Sequence, residues 1–272
     1  MKLIHITDPH LVGPGEILHG LDPYDLLKKC IIDINIYHSD AELCVITGDL
    51  AHLGQAKAYS GLKECLSLLK IPFRLIIGNH DNREEMRKIF PAQPVDKNNF
   101  LQCSMHTSAG RFLFLDTVEE KQPWGAYCDL RLSWLNAELK TCLDIPVYIF
   151  MHHPPFHVEL QCLDRIGLGN DGKKIGEILS QKKNIKHIFF GHVHRPISGS
   201  WLGIPFSTVR GTSHQTPLDF DATDVIPKSH EPPGYSIIFL KQDQTIVHYH
   251  DYLDDSRIEY NKKSNSRYDY CD

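Results

Sequence analysis

The sequence predicts an α/β protein in which two packed mixed β-sheets are flanked by helices. Three observations favour this class. Up to residue 194, most apolar runs alternate with segments of helical periodicity, which is typical of parallel strands joined by helical crossovers. Beyond residue 194, short runs separated by Gly, Pro or Asp/Gln turns predict antiparallel strands that extend a second sheet. Five apolar runs end abruptly in polar residues, as strands do where α/β proteins place their chemistry.

The elements follow in order from the amino terminus. Strands are predicted over residues 3–7, 43–47, 73–77, 100–105, 111–116, 147–151, 185–190, 196–201, 204–209, 235–240 and 246–252. Helices are predicted over residues 22–34, 56–69, 83–89, 130–139 and 173–179. The first helix has a clear start, because Asp22 precedes Pro23 as an N-cap precedes a proline at the first helical position. Ser108-Ala109-Gly110 lies between two strand-like runs and indicates a hairpin.

Composition limits the classes of function. The 272 residues are 42% hydrophobic and 23% charged, as in a soluble globular protein, and no linker or repeat divides them. We therefore expect one domain over residues 1–253 and a polar tail over residues 254–272. A net charge of -5 disfavours long nucleic acid as a partner. Because no apolar signal region and no run of 18 apolar residues occurs, we expect a cytoplasmic protein without a membrane partner.

Metal-ligand side chains follow the five abrupt strand ends. These side chains are Asp8, His10, Asp49, Asn79, His152, His192 and His194, with His80 and Asp81 adjacent. Nitrogen and carboxylate ligands without a thiolate suit catalytic Mn, Fe or Zn better than a structural zinc site. Seven ligands are too many for one ion but divide around two if one carboxylate bridges. Two ions roughly 3.5–4 Å apart clamp the attacking and leaving oxygens of a displacement at phosphorus and lower the pKa of a shared water.

The motifs resemble, in the same order, the five motifs of the calcineurin-like metallophosphoesterases. They are Asp8-x-His10, Gly48-Asp49, Gly78-Asn79-His80-Asp81, His152 before His153-Pro154-Pro155, and Gly191-His192-x-His194. The resemblance implies a four-layer αββα sandwich with two divalent ions (Mn, Fe, Zn or Co). It also implies a ligand set for each ion: Asp8, His10, Asp49 and His194 for the first, and Asp49, Asn79, His152 and His192 for the second. By the same resemblance, His80 lies near the leaving group and Asp81 holds its ring.

Within that family, residues 15–22 and 211–215 resemble the bacterial branch of class III cyclic nucleotide phosphodiesterases and glycerophosphodiesterases. This implies hydrolysis of small phosphodiesters by in-line attack of a metal-bridging hydroxide, with His80 assisting the leaving group and His214 as a candidate substrate contact. Many relatives form oligomers, so a homo-oligomer is an open expectation. Two alternatives are a phosphomonoesterase or phosphonate ester hydrolase, and a scaffold that metals only stabilise. The presence of His80 argues against the scaffold, and the charge balance argues against a nuclease.

Overall fold

Two mixed β-sheets face each other in the computed structural model, which describes residues 1–253. The strands are β1 (Lys2–Ile6), β2 (Leu43–Thr47), β3 (Phe73–Ile76), β4 (Cys103–Thr107), β5 (Gly110–Phe114), β6 (Val147–Phe150), β7 (Ile185–Phe189), β8 (Ser198–Trp201), β9 (Ile204–Ser207), β10 (Tyr235–Leu240) and β11 (Thr245–His250). The helices are α1 (Pro23–Tyr37), α2 (Ala56–Ser67), α3 (Arg83–Ile89), α4 (Asp129–Lys140), α5 (Gln161–Asp164) and α6 (Gly169–Leu179).

Parallel pairing aligns the strand ends on which the candidate site depends. The first sheet has the order β11-β10-β1-β2-β3, with β1, β2 and β3 parallel. The second has the order β4-β5-β6-β7-β9-β8, with β5, β6, β7 and β9 parallel and an antiparallel strand at each edge. Because parallel strands end at the same edge of a sheet, the residues after β1, β2 and β3 lie together, as do those after β6 and β7.

Three apolar clusters separate the layers. One lies between the sheets and includes Leu3 and Val45 from the first sheet with Phe112 and Phe150 from the second. A second packs α1, α2 and α3 on the outer face of the first sheet, and a third packs α4, α5 and α6 on the outer face of the second. This four-layer arrangement of helices, sheet, sheet and helices confirms the predicted fold class.

The prediction that all strands after residue 194 extend the second sheet is wrong for half of them. β8 and β9 join that sheet, whereas β10 pairs antiparallel with β1 and brings β11 to the edge of the first sheet. The reason is that β1 is a buried strand. Without β10, the backbone N–H and C=O groups along one edge of β1 would have no hydrogen-bond partner. Helix α5 was not predicted because its four residues are too few to show a periodicity.

The predicted tail at residues 254–272 lies outside the described residues. Among residues 1–253, none of the helices has the length and apolar character that a membrane span requires.

Candidate metal centre

The candidate ligands lie on sharp turns at the carboxyl ends of the strands. Five of them have left-handed backbone: Asp8 (φ 51°), His10 (φ 46°), Asp49 (φ 50°), His192 (φ 72°) and His194 (φ 49°). Such a conformation is uncommon for residues with a Cβ, although Asp and His adopt it more readily than most. It turns each side chain inward directly after a strand ends. Backbone strain concentrated in this way is typical of functional sites.

Two glycines let these turns approach one another. A Cβ at Gly78 would collide with the carboxylate of Asp49, and a Cβ at Gly48 would collide with the ring of His152. Gly48 also has a φ of 97°, which favours glycine. The motif glycines therefore provide the space in which Asp49 and His152 meet.

The structure brings four of the predicted ligands into one buried cluster: Asp8, His10, Asp49 and His194. Their ligand atoms all lie within 4.8 Å of one another. His10 Nε2 lies 3.3 Å from Asp49 Oδ2, and His194 Nε2 lies 3.4 Å from Asp8 Oδ1. The two Nε2 atoms are 3.1 Å apart. This cluster is the set that the family resemblance implies for a first ion.

The remaining predicted ligands lie on the other side of Asp49. His152 Nε2 is 3.4 Å from Asp49 Oδ1 and 3.2 Å from Asn79 Oδ1. The ring centroids of His152 and His192 are 5.1 Å apart, and the buried His192 Nε2 has no hydrogen-bond partner among the described residues. The two oxygens of Asp49 thus face different groups of ligands, as a bridging carboxylate requires.

The hydrogen bonds of His152 and His194 fix which nitrogen faces the site. The Nδ1 of His152 donates to the carbonyl of Thr47 (2.7 Å), and the Nδ1 of His194 donates to the carbonyl of His214 (2.8 Å). A carbonyl only accepts, so Nδ1 carries a hydrogen in each ring, and Nε2 is the nitrogen that faces the carboxylate oxygens and offers a lone pair when its proton is absent. Lone pairs that converge in this way repel unless a proton or a cation lies between them.

The electrostatics of the site favour positive charge near Asp49. Burial lowers the pKa of His152, but the Asp49 carboxylate outweighs burial and raises that pKa to about 9. Burial lowers the pKa of His10 and of His192 to about 3, so both rings are neutral and can act as ligands. The histidines hold the pKa of Asp49 well below its usual range despite burial. Neutral imidazoles around ionised carboxylates, without a thiolate, form a donor set that fits divalent Mn, Fe, Zn or Co.

His80 lies beside this cluster, but Asp81 does not hold its ring as the sequence led us to expect. The Nδ1 of His80 donates to the carbonyl of His52 at 2.7 Å, and its Nε2 lies 4.0 Å from Asp49 Oδ2. The Asp81 carboxylate instead accepts hydrogen bonds from three backbone N–H groups and one hydroxyl: those of Leu50, Ala51, Gly78 and Tyr59. The turn after Gly78 directs Asp81 back onto the backbone that follows Asp49, so Asp81 joins two ligand-bearing loops.

His214 contacts the cluster directly. Its ring centroid lies 4.9 Å from that of His10 and 4.7 Å from that of His194, and its carbonyl orients His194. His52 was not predicted from the sequence; its ring stacks on His80 at 4.9 Å, and its Nδ1 lies 3.3 Å from the Nδ1 of His10. Lys228 was not predicted either; its positive charge interacts with the carboxylates of Asp49 and Asp8. No motif or spacing marks either residue.

Comparison with known proteins identifies the family to which the chain belongs. The model of the calcineurin-like phosphoesterase family matches residues 1–196. The chain is 39% identical over 251 residues to a probable cyclic nucleotide phosphodiesterase of Rhodopseudomonas palustris, covering 91% of both proteins. It is 28% identical over 255 residues to a probable glycerophosphodiester phosphodiesterase of Arcobacter nitrofigilis, covering 93% of both. A dimetal phosphatase from Danio rerio shares the fold with a TM-score of 0.71 at 16% identity, covering 92% of this chain and 96% of that one. The chain therefore belongs to the calcineurin-like phosphoesterase family.

Proposed function

We propose that this protein is a dinuclear-metal phosphodiesterase that hydrolyses small phosphodiesters. The observation that carries the proposal is the position of Asp49, whose Oδ2 lies 3.3 Å from His10 and whose Oδ1 lies 3.4 Å from His152. A single carboxylate between two groups of lone-pair donors suits a pair of ions better than one ion.

Each of the two groups of candidate ligands would hold one ion. Asp8, His10 and His194 would hold the first ion, and Asn79, His152 and His192 the second, with Asp49 shared. When bound, two divalent ions lower the pKa of an attacking water and offset negative charge on the phosphoryl oxygens. The backbone carbonyls that fix His152 and His194 keep the ligand nitrogens directed at the site before any ion binds.

His80 is the proposed donor of a proton to the leaving oxygen. Because its Nδ1 hydrogen is committed to the carbonyl of His52, its other nitrogen, Nε2, faces the site. The side chain is 35% exposed, so a substrate can reach it. In the protonated ring, Nε2–H donates its proton to the departing oxygen as the phosphorus–oxygen bond breaks, and the ring is left neutral.

A small diester fits the remaining observations. The relatives that this chain matches over nine-tenths of its length are named as phosphodiesterases of cyclic nucleotides or of glycerophosphodiesters. The net charge of -5 provides no broad basic surface for a nucleic-acid backbone. His214, which is buried and packed against His10 and His194, is the proposed contact for the substrate.

A panel of substrates tests the proposal. The full chain would be stripped of metal, refilled with Mn, Fe, Zn or Co, and assayed on 3′,5′-cyclic AMP, glycerophosphoethanolamine, bis(p-nitrophenyl) phosphate, p-nitrophenyl phosphate and a short DNA oligonucleotide. We expect kcat/KM on the small diesters to exceed that on the monoester and on DNA in at least one metal form. A higher kcat/KM on the monoester would favour the phosphomonoesterase alternative, and absence of turnover in every metal form would favour the scaffold.

A further inference from the structure

A buried chain of hydrogen bonds runs from the core between the sheets to the carboxylate of Asp8. His5 Nε2 lies 2.8 Å from Thr47 Oγ1, Thr47 Oγ1 lies 2.9 Å from Thr7 Oγ1, and Thr7 Oγ1 lies 2.6 Å from Asp8 Oδ2. All four residues are at most 1% exposed. The catalytic roles proposed above use Asp8 but none of the other three side chains.

The proton positions along this chain follow from the chemistry of its members. An ionised carboxylate only accepts, so the Thr7 hydroxyl must donate to Asp8. Thr7 has one hydroxyl proton and has used it, so it accepts from Thr47. Thr47 has then used its own proton and must accept from His5. Hence His5 carries its hydrogen on Nε2, and all three hydrogen bonds point toward Asp8.

The two oxygens of Asp8 are therefore unequal. Oδ2 accepts the short hydrogen bond from Thr7 and lies 3.0 Å from the backbone nitrogen of His192. Oδ1 is 3.2 Å from the same backbone nitrogen and faces His194 Nε2 at 3.4 Å, inside the ligand cluster. Oδ2 has both of its strong acceptor directions in use, whereas Oδ1 keeps one directed at the place where the first ion would lie.

We infer that His5, Thr47 and Thr7 are positioning residues that occupy Asp8 Oδ2 and so reserve Oδ1 as a single-oxygen ligand for the first ion. The inference rests on the proposed function, since it takes Asp8 as a metal ligand. Without the chain, the backbone N–H of His192 still holds the Asp8 carboxylate but lies close to both oxygens, so it does not select which of them, or whether both, face the ion. Residues that hydrogen-bond a metal ligand and orient it typically contribute a factor of about 10–100 to metal affinity.

The same core contains a matched pair of side chains that makes no hydrogen bond to a candidate ligand. His187 Nε2 lies 2.8 Å from Ser207 Oγ, and His187, like His5, packs its ring against Phe189. His187 is 6% exposed and Ser207 is 2% exposed. The Ser207 hydroxyl has no further side-chain partner among the described residues. Removing its hydroxyl removes a buried histidine–hydroxyl bond without touching Asp8.

The test compares metal retention in three variants of the full chain: Thr47→Val, Thr47→Ser and Ser207→Ala. Each Mn-loaded protein is titrated with a chelator, the ions kept per chain are measured by elemental analysis, and the melting temperature is recorded in parallel. We expect Thr47→Val to release one ion at about 10–100-fold lower chelator concentration than wild type. Thr47→Ser, which keeps the hydroxyl, should behave as wild type. Ser207→Ala should melt earlier yet keep its ions.

Three results would overturn the inference. They are wild-type retention by Thr47→Val, an equal loss of metal from Ser207→Ala, or failure of Thr47→Ser to restore retention. If Thr47→Val does not fold, His5→Phe and His187→Phe give the same comparison from the other end of the chain. Asp8→Asn separates the two hypotheses: loss of metal from Asp8→Asn without loss from Thr47→Val rejects only the hydrogen-bond chain. Two ions retained by Asp8→Asn reject the proposed ligand set as well.

Discussion

The two sheets contribute different chemistry to the same site. The first sheet supplies the anionic and amide candidate ligands together with one imidazole, from the residues after β1, β2 and β3: Asp8, His10, Asp49 and Asn79. The second sheet supplies only imidazoles as candidate ligands, from the residues after β6 and β7: His152, His192 and His194. Two carboxylates alone would repel one another, and three buried imidazoles alone provide no charge to balance a divalent ion. The site is therefore complete only where the sheets meet, and each ion would take ligands from both.

The largest expected effect comes from removing the carboxylate that both groups of ligands share. Asp49→Asn keeps the shape but loses the negative charge that faces both His10 and His152. We expect loss of one or both ions and a fall in kcat/KM beyond about 10⁴-fold, above the usual range for one general acid. Elemental analysis with kinetics on bis(p-nitrophenyl) phosphate measures both.

The matched control for that variant is Asp116→Asn. Asp116 is an equally buried carboxylate, but it pairs with Arg83 and the backbone of Leu101 instead of the ligand cluster. The control should lose stability and keep its metals. Two ions and normal turnover in Asp49→Asn would contradict the shared-ligand assignment.

The second largest effect is expected from removing the proposed proton donor, His80, which follows the first sheet but is not a candidate metal ligand. His80→Ala should lose roughly 10²–10⁴-fold in kcat on a substrate with an alkyl or ribose leaving group, the range of one general acid. The loss should be distinctly smaller on a p-nitrophenyl ester, because p-nitrophenolate leaves without a proton. Metal content should remain at the wild-type value.

The control for His80 is His52→Ala. It removes the ring stacked on His80 but leaves the backbone carbonyl that orients the His80 ring. A milder loss is expected in this variant. A loss from His80→Ala that is the same for leaving groups of different pKa would instead indicate charge stabilisation at the phosphoryl oxygens.

The third effect is the loss of thermal stability when the ions, which would take ligands from both sheets, are removed. A ligand that binds only the folded state at about 1,000 times its Kd stabilises that state by about 4 kcal/mol. For a domain of this size we expect chelation to lower Tm by roughly 8–16 °C, at about 2–4 °C per kcal/mol. Calorimetry before and after metal removal gives the shift. The shift should shrink sharply in Asp49→Asn, and a full shift in that variant would mean that the ions bind elsewhere.

The smallest effect concerns a neutral buried histidine of the second sheet. Burial lowers the pKa of His187 from its ordinary 6.5 to about 3. Between those values the unfolded chain binds a proton that the folded chain does not, so folding stability is lost as pH falls below about 6.5. The expected slope from this group is about 1.4 kcal/mol per pH unit.

Denaturation curves at a series of pH values test this prediction. His187→Gln should be less sensitive to acid than wild type between pH 6 and 4, whereas His248→Gln, at an exposed position, should follow wild type. Identical pH slopes in wild type and His187→Gln would show that the His187 ring does not resist protonation.

The candidate ligands could be predicted from the sequence because each stands next to the end of its own strand. An apolar run such as residues 43–47 followed by Gly48-Asp49 contains both the strand and the residue that it presents. The partner of Asp81 could not be predicted, since Leu50 and Ala51 reach it only when two loops pack together. The prediction that β10 extends the second sheet was wrong because the local pattern of this strand fits either sheet, and only its pairing with β1 decides between them.

The left-handed backbone at the ligands has a consequence for engineering this protein. Each such residue costs roughly 1–2 kcal/mol relative to a relaxed conformation, a cost that glycine avoids. The metal-free chain is therefore not at its optimum of thermostability, and Asp8, His10, Asp49, His192 and His194 are among the positions where replacement by glycine relieves strain. A selection for thermal robustness of the metal-free chain alone would favour loss of the candidate ligands. A screen for stabilised variants must include turnover as a second criterion, or it will enrich well-folded proteins without activity.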